Sequence, residues 1–416
     1  MCKPRGLAAV PAMALWLFGG FSAAEPAGDI DSPAYWEQGR RQLARLGDGF
    51  LVWEAHRDNR WSIWTIKLDG SGLRQLTPLE NNRDQSCPQI SPDGKTLTYL
   101  SCPRGSGPHE ELQGTLSDAQ RRTPLHLINA DGTSDRIIVP DARKYGGGWD
   151  RAVTWFTPSR LAYVGPDDNT YELDLAGGRS TLIISGGGGW LPNTTLTHAV
   201  QSFNTFSLLE AKTKTITPMP HLGGCQPYFT HDGQWGFWMA GLGGPVGKMR
   251  LSTRDWATLL DPAVLPKARD YCYFPNISSS QCLLTFSAAN HEKLRGGYGG
   301  YVLTDYNVFV VAIDPLALDI LGKPVRYSFD PVCNRFPDVY QSPPALGFKS
   351  NKAPYRVDLA APGPGEWVWD FGDGATLKAG GNELLVKSTQ LYGFWGFTCD
   401  LLTPEGKLMT DLAYSP

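Results

Sequence analysis

Three loop segments place large aromatic rings beside glycines or charged residues: "YGGGWDR", "SGGGGW" and "RDYCYF". An aromatic ring stacks on the C–H face of a sugar, and carboxylates or guanidiniums bond the sugar hydroxyls. We therefore predict carbohydrate contact by these rings and by charged residues near them. The candidate ligand-binding residues are Trp149, Trp190, Tyr271, Tyr273, Asp84, Asp150, Arg151 and Arg335. The structural alternative is that the tryptophans pack inside the fold and the charged side chains bond loop backbone.

A repeated unit must position these residues. The segment "CPQISPDGKTLTYLS" at 87–101 reads as strand, turn, strand, and it recurs as "QPYFTHDGQWGFWMA" at 226–240 and "FPNISSSQCLLTFSA" at 274–288. Most copies are followed by a second hairpin. A four-stranded unit repeated every ~35–60 residues is typical of a β-propeller.

The first unit, "FLVWEAHRDNRWSIWTIKLDGSGLRQLT", has only three predicted strands, and "RFPDVYQS" at 335–342 supplies the missing innermost strand. Pairing the two ends closes a ring of six blades over residues 48–342 and leaves no open edge. Counting back from the proline position of the repeat places Asp84, Asp150, Arg151 and Arg335 near the inner rim.

The turn "SPDG" at Ser91 to Gly94 resembles the repeat of the TolB-type family of WD-repeat-like propellers. After a proline-rich junction, "WDFGDG" at Trp369 to Gly374 resembles the central motif of the polycystic kidney disease (PKD) domain, which implies structural roles for Trp369 and Asp370. The expected fold class is all-β: a six-bladed β-propeller followed by a small immunoglobulin-like β-sandwich over 343–416.

The N-terminal residues predict export. Lys3 and Arg5 precede an apolar stretch that ends in small residues, which is typical of a signal peptide over residues 1–24. An uncleaved anchor is less favoured because the stretch is short and Pro11 interrupts it. A short helix and linker are expected over 25–47. We predict a periplasmic or secreted protein without a membrane span after cleavage, and the net charge of −3 does not suggest a nucleic-acid partner.

Two long loops predict where a ligand would bind. They join the second and third strands of blades 2 and 6, which flank blade 1 in a closed ring, so they should stand on either side of blade 1 on one face. We predict a non-enzymatic recognition or scaffold protein that binds an extracellular glycan or an envelope protein there. The alternatives are a polysaccharide lyase or glycoside hydrolase at the same face, and a structural spacer.

Neither a metal nor a cofactor is expected, and no catalytic residue is assigned. No cysteine or histidine cluster has zinc spacing. A metal-dependent lyase would require His109 and His291, one in each long loop, to converge with a carboxylate. Cys87 and Cys102 flank one hairpin, and a disulfide between them is possible in an exported protein.

Overall fold

In the computed structural model, the described residues form six four-stranded antiparallel sheets, which confirms the six-bladed propeller. The described residues are 31–78, 83–103, 122–143, 151–186, 189–201, 207–218, 224–241, 243–290, 305–329 and 332–342. The chain divides into two compact units, Met1–Ser342 and Pro343–Pro416. The predicted signal peptide and the predicted immunoglobulin-like sandwich both lie outside the described residues.

Strands are numbered in chain order, and each blade is given from its innermost to its outermost strand. Blade 1 comprises β24 (Asn334–Gln341), β1 (Gly49–Arg57), β2 (Arg60–Lys67) and β3 (Arg74–Gln75). Blade 2 comprises β4 (Arg83–Ile90), β5 (Thr96–Pro103), β6 (Arg122–Asn129) and β7 (Arg136–Arg143). Blade 3 comprises β8 (Val153–Thr157), β9 (Arg160–Val164), β10 (Thr170–Asp174) and β11 (Arg179–Ile184).

The other three blades follow the same order. Blade 4 comprises β12 (Leu191–Pro192), β13 (His198–Gln201), β14 (Ser207–Glu210) and β15 (Thr215–Pro218). Blade 5 comprises β16 (Cys225–Phe229), β17 (Trp235–Met239), β18 (Val246–Arg250) and β19 (Trp256–Leu260). Blade 6 comprises β20 (Tyr271–Ile277), β21 (Leu283–Ala289), β22 (Asn307–Ala312) and β23 (Val325–Arg326).

The ring closes within blade 1, where β24 pairs with β1 although the two strands come from opposite ends of the propeller sequence. The register sets Glu54 opposite Arg335 and Val52 opposite Asp338, with an irregularity between these pairs. Because the two ends share one sheet, the inner edge of blade 1 is paired rather than exposed.

The innermost strands of four blades contain the same irregularity. The residue before a proline has a left-handed backbone in each: Cys87 (φ 54°), Gln226 (φ 56°), Phe274 (φ 58°) and Phe336 (φ 47°). The pairing register shifts at each of these sites. Such bulges change the direction in which side chains point. A non-glycine residue with a left-handed backbone costs ~1–3 kcal/mol of conformational energy. The surrounding sheets must therefore hold these residues in place.

A helix, α1 (Pro33–Ala44), packs against both blade 6 and blade 1. The side chain of Ser32 accepts a hydrogen bond from the Tyr35 N–H (3.3 Å) and caps the first turn. The buried rings of Tyr35 and Trp36 share one apolar cluster with residues of both blades. Gly39 permits this packing, because a Cβ there would lie 2.4 Å from a methyl group of Val325. No helix in the described part of the chain is both long and apolar enough to cross a membrane.

Candidate functional site

Two layers of residues recur at equivalent positions on or next to the innermost strands. The upper layer lies toward the face that bears the two long loops, and its members are Ser86, Arg151, Cys225, Tyr273 and Arg335. The lower layer lies three residues further along each strand, toward the opposite face. Its members, Gln89, Thr154, Tyr228, Asn276 and Asp338, all line one cavity at the lower mouth of the channel.

Arg335 forms a fully buried ion pair with Glu54 of β1. Its guanidinium also stacks over Trp61, 4.1 Å from the ring centroid. The second oxygen of Glu54 accepts the N–H of Cys87, the left-handed residue of blade 2 (2.8 Å). Burial raises the pKa of Glu54, and the nearby Arg335 opposes that rise. The pair therefore connects blade 1 to the bulge of blade 2.

Arg151 of blade 3 reaches across the channel. Its Nη2 donates to the carbonyl of Pro337 in blade 1 (2.8 Å) and lies 3.3 and 3.4 Å from the carbonyls of Pro275 and Phe274 in blade 6. Blades 3 and 6 are opposite each other in a ring of six, so the guanidinium crosses the channel axis. Arg151 therefore connects blade 3 to blades 1 and 6.

The corner of blade 1 holds the polar groups of the upper mouth. Asp84 accepts the N–H of Trp61 (3.1 Å), and the ring of His56 lies 4.9 Å from that of Trp61. Burial lowers the pKa of His56, Arg335 lowers it further, and Asp84 opposes both. Burial and Arg335 thus favour the neutral form of the His56 imidazole. We call His56, Trp61, Asp84 and Arg335 the blade 1 corner.

The predicted aromatic residues occupy interior positions. Trp190, Tyr271 and Tyr273 are 8%, 3% and 8% exposed. Tyr271 and Tyr273 stack on each other at 5.6 Å and share a cluster with Trp61, whereas Trp190 lies in a separate small cluster in blade 4. Trp149 and Asp150 lie outside the described residues. Sugar contact by these residues stays a prediction.

The structure brings Arg151 and Arg335 together in the upper layer. Each guanidinium lies over the ring of Phe336, 5.8 Å from the ring centroid. Trp61 connects Asp84 to Arg335, because its backbone N–H bonds Asp84 and its ring contacts the Arg335 guanidinium. The sequence prediction did not include Glu54, His56 or Trp61. Glu54 had a detectable signal, since it is the one charged residue within the apolar run "FLVWEA". No sequence signal connects His56 or Trp61 to Asp84.

The lower layer is held by amide and hydroxyl hydrogen bonds between blades. Gln89 accepts the Val153 N–H and donates to the Val153 carbonyl (2.8 Å each) and to the Tyr228 hydroxyl (3.0 Å). Asp338 accepts the Ile90 N–H and the Asn276 amide (2.7 Å each). These bonds link blades 2, 3 and 5 and blades 1, 2 and 6.

No disulfide joins two cysteines of the described residues. Cys87 and Cys102 are both buried, and the structure forms no disulfide between them. Among the described residues, no group of three or more His, Cys, Asp or Glu side chains is placed to hold a metal ion. His109 and His291, which the lyase alternative requires, lie outside the described residues.

No protein family matches the chain, and no curated protein matches it. Among solved structures, TolB from Acinetobacter baumannii is 12% identical, with a TM-score of 0.47 over 74% of this chain and 73% of that chain. A nidogen/laminin complex is 8% identical (TM-score 0.43; 70% and 98% covered). An oligogalacturonate lyase in complex with manganese is 13% identical (TM-score 0.34; 65% and 72% covered). Likenesses this distant carry no information about the function of this chain.

Proposed function

We propose that this protein is an exported, non-enzymatic recognition protein that binds an extracellular glycan at the upper mouth of its propeller. The observation that carries the proposal is the blade 1 corner, where a carboxylate, a guanidinium, a neutral imidazole and an indole ring lie together. The two long loops leave the sheets next to this corner, after Pro103 in blade 2 and after Ala289 in blade 6.

The chemistry of the corner suits a polyhydroxylated ligand. Asp84 offers an acceptor for sugar hydroxyl groups. Arg335 and Arg151 are 0% and 4% exposed and bond Glu54 and backbone carbonyls, so the two guanidiniums would position the site rather than contact the ligand. Tyr271 and Tyr273 would serve as packed walls beside these polar groups, because both rings are buried in the cluster that contains Trp61. Trp190 lies in a separate cluster of blade 4 and would not contribute to this site. Trp149 and Asp150 would lie on the loop that leads into Arg151.

The test is a glycan array probed with the purified chain, followed by Kd measurements for any glycan that binds. We expect Asp84→Asn, which keeps an oxygen for the Trp61 N–H, to weaken binding at least tenfold. Glu172→Gln is the matched control, because it makes the same acid-to-amide change on the outer part of blade 3. Wild-type affinity in the Asp84 variant would contradict the proposal. A chain that binds no glycan but retains a purified envelope protein would have a protein ligand instead.

One observation favours an enzyme as the second candidate. A neutral His56 beside Asp84 could take a proton, as a lyase or glycoside hydrolase requires of a base. The chain would then shorten the glycan that it binds, and His56→Gln would abolish turnover while leaving affinity within about threefold. Product chains should be measured with and without chelator. An unchanged glycan after prolonged incubation leaves the recognition role alone.

A further inference from the structure

The lower mouth contains a cavity of about 50 Å³. It lies at the opposite end of the channel from the proposed glycan site. All six blades contribute to its lining, through Gln89, Thr154, Thr194, Tyr228, Asn276 and Asp338. Such a volume holds roughly three to five water molecules, so a sugar ring does not fit. A small polar group does.

Two buried residues of the cavity lining, Asp338 and Asn276, present acceptor oxygens. Asp338, 6% exposed, accepts bonds through both carboxylate oxygens from Ile90 and Asn276. Asn276, 4% exposed, uses its N–H donor for Asp338, and its Oδ1 has no hydrogen-bond partner among the described residues. An unsatisfied buried acceptor costs ~1–3 kcal/mol. This site therefore requires a donor that the described side chains do not supply.

The charges around the cavity favour a cationic donor. Asp338 is the one acid among the described lining residues, and burial keeps His231, also in the lining, neutral by lowering its pKa to about 4. Arg151 donates to the carbonyl of Pro337, next to Asp338; burial raises the pKa of Asp338, and the charge of Arg151 opposes that rise. A hard metal cation takes about six oxygen ligands, whereas an ammonium group has three donors to satisfy. One carboxylate and one amide oxygen match the ammonium better.

We propose that the lower cavity binds a primary ammonium group, whose N–H donors bond the Asp338 carboxylate and the Asn276 Oδ1. The group can come from a free small amine or from a lysine side chain of another polypeptide, since both present the same chemistry. This site is distinct from the proposed glycan site, because none of its lining residues belongs to the blade 1 corner.

The experiment measures binding of two amines to the purified full chain by calorimetry. Ethanolamine represents a free amine, Nα-acetyl-lysine amide represents a lysine side chain, and ethylene glycol is the neutral match for ethanolamine. We expect ethylene glycol to bind at least tenfold more weakly than ethanolamine if the free amine is the source. Asp338→Asn should weaken amine binding at least tenfold, and Glu172→Gln should leave it unchanged.

A second variant keeps the test decisive if Asp338→Asn does not fold. Thr194→Trp fills the mouth of the cavity from blade 4 without altering Asp338 or Asn276, and it should weaken amine binding as strongly. Binding of ethanolamine supports the free amine, and binding of the lysine probe alone supports a polypeptide lysine. The proposal is overturned if neither amine binds, if ethylene glycol binds as well as ethanolamine, or if Thr194→Trp retains wild-type affinity.

Discussion

The upper and lower layers of the channel occupy equivalent positions of the same strands, three residues apart, yet they connect the blades differently. The upper layer uses guanidiniums: Arg335 pairs with Glu54, and Arg151 crosses to the carbonyls of blades 6 and 1. The lower layer uses mostly neutral groups: Gln89 of blade 2 bonds the Tyr228 hydroxyl of blade 5 on the opposite side of the ring, and the Asp338 carboxylate bonds blades 2 and 6. Both layers thus contain a bond across the ring, made by a charged guanidinium in the upper layer and by a neutral amide and a phenol hydroxyl in the lower layer.

The stability of the upper layer therefore depends on buried charged groups, and that of the lower layer depends mostly on hydrogen bonds between neutral groups. Charged side chains are long enough to span the channel, but each leaves a costly buried charge if its partner is removed. Hydrogen bonds between neutral groups, such as the one from Gln89 to the Tyr228 hydroxyl, contribute about 1 kcal/mol each. The upper layer should therefore respond more strongly to single substitutions than the lower layer.

The largest effect is expected for Arg335→Met. Removing the guanidinium leaves Glu54 as an unpaired buried carboxylate, so the free energy of unfolding should fall by ~3–5 kcal/mol. Urea unfolding followed by tryptophan fluorescence measures this change. Adding Glu54→Gln should recover most of the loss, because the amide oxygen can still accept the Cys87 N–H.

The surface ion pair Arg160 and Glu172 is the control for this prediction. Half of the Arg160 side chain is exposed, so Arg160→Met should cost at most ~1 kcal/mol. Equal losses from Arg335→Met and Arg160→Met would show that burial of the channel pair does not matter. A double variant no more stable than Arg335→Met would show that Glu54 tolerates the loss of its partner.

A smaller effect is expected for Arg151→Met. The substitution removes the bond to the Pro337 carbonyl and the weaker contacts to blade 6, and it leaves a buried carbonyl without its donor. The free energy of unfolding should fall by ~2–3 kcal/mol. Hydrogen exchange of the Asn276 and Val339 amides should quicken as blades 1 and 6 loosen. Unchanged stability would show that Arg151 occupies the channel without joining the blades.

The ring of blades could be predicted from the sequence because its signals are local and repeated. The turn at Ser91 to Gly94 and the recurring strand pairs indicate blades, and the missing first strand indicates closure by residues near 335. Counting residues from the repeated proline also placed Arg151 and Arg335 at the inner rim, because a strand has a fixed rise and alternation.

Contacts between different strands could not be predicted in the same way. The pairing of Arg335 with Glu54 depends on the register at a bulge, and the reach of Arg151 depends on the channel width. The loop segments that carry Trp190 and Tyr271 look exposed in sequence, because glycines and charges surround them. In the structure both rings are buried, since space between strands accepts large rings that a local pattern does not reveal.

The smallest expected effect concerns His231 at the lower mouth. The turns at Ser91 and Thr230 have matching hydrogen bonds, from Gly94 to Ser91 and from Gly233 to Thr230 (2.9 Å each). His231 occupies the place of Pro92. Proline suits the second position of such a turn, so His231→Pro should raise the free energy of unfolding at neutral pH by ~0.4–1 kcal/mol.

The same variant should also change the response to acid. Burial lowers the pKa of His231 from 6.5 to about 4, so below pH 6.5 the unfolded chain binds a proton that the folded chain does not. The stability contributed by this residue is therefore lost as pH falls from 6.5 to 4. His56 and His198, whose pKa values burial also lowers, are present in both proteins and cancel in the difference. Urea unfolding at several pH values should show the gap between variant and wild type widening toward pH 4. A stability difference that does not change with pH would mean that His231 has the same pKa in the folded and unfolded chain. The lower mouth would then be more open to solvent than its hydrogen bonds indicate.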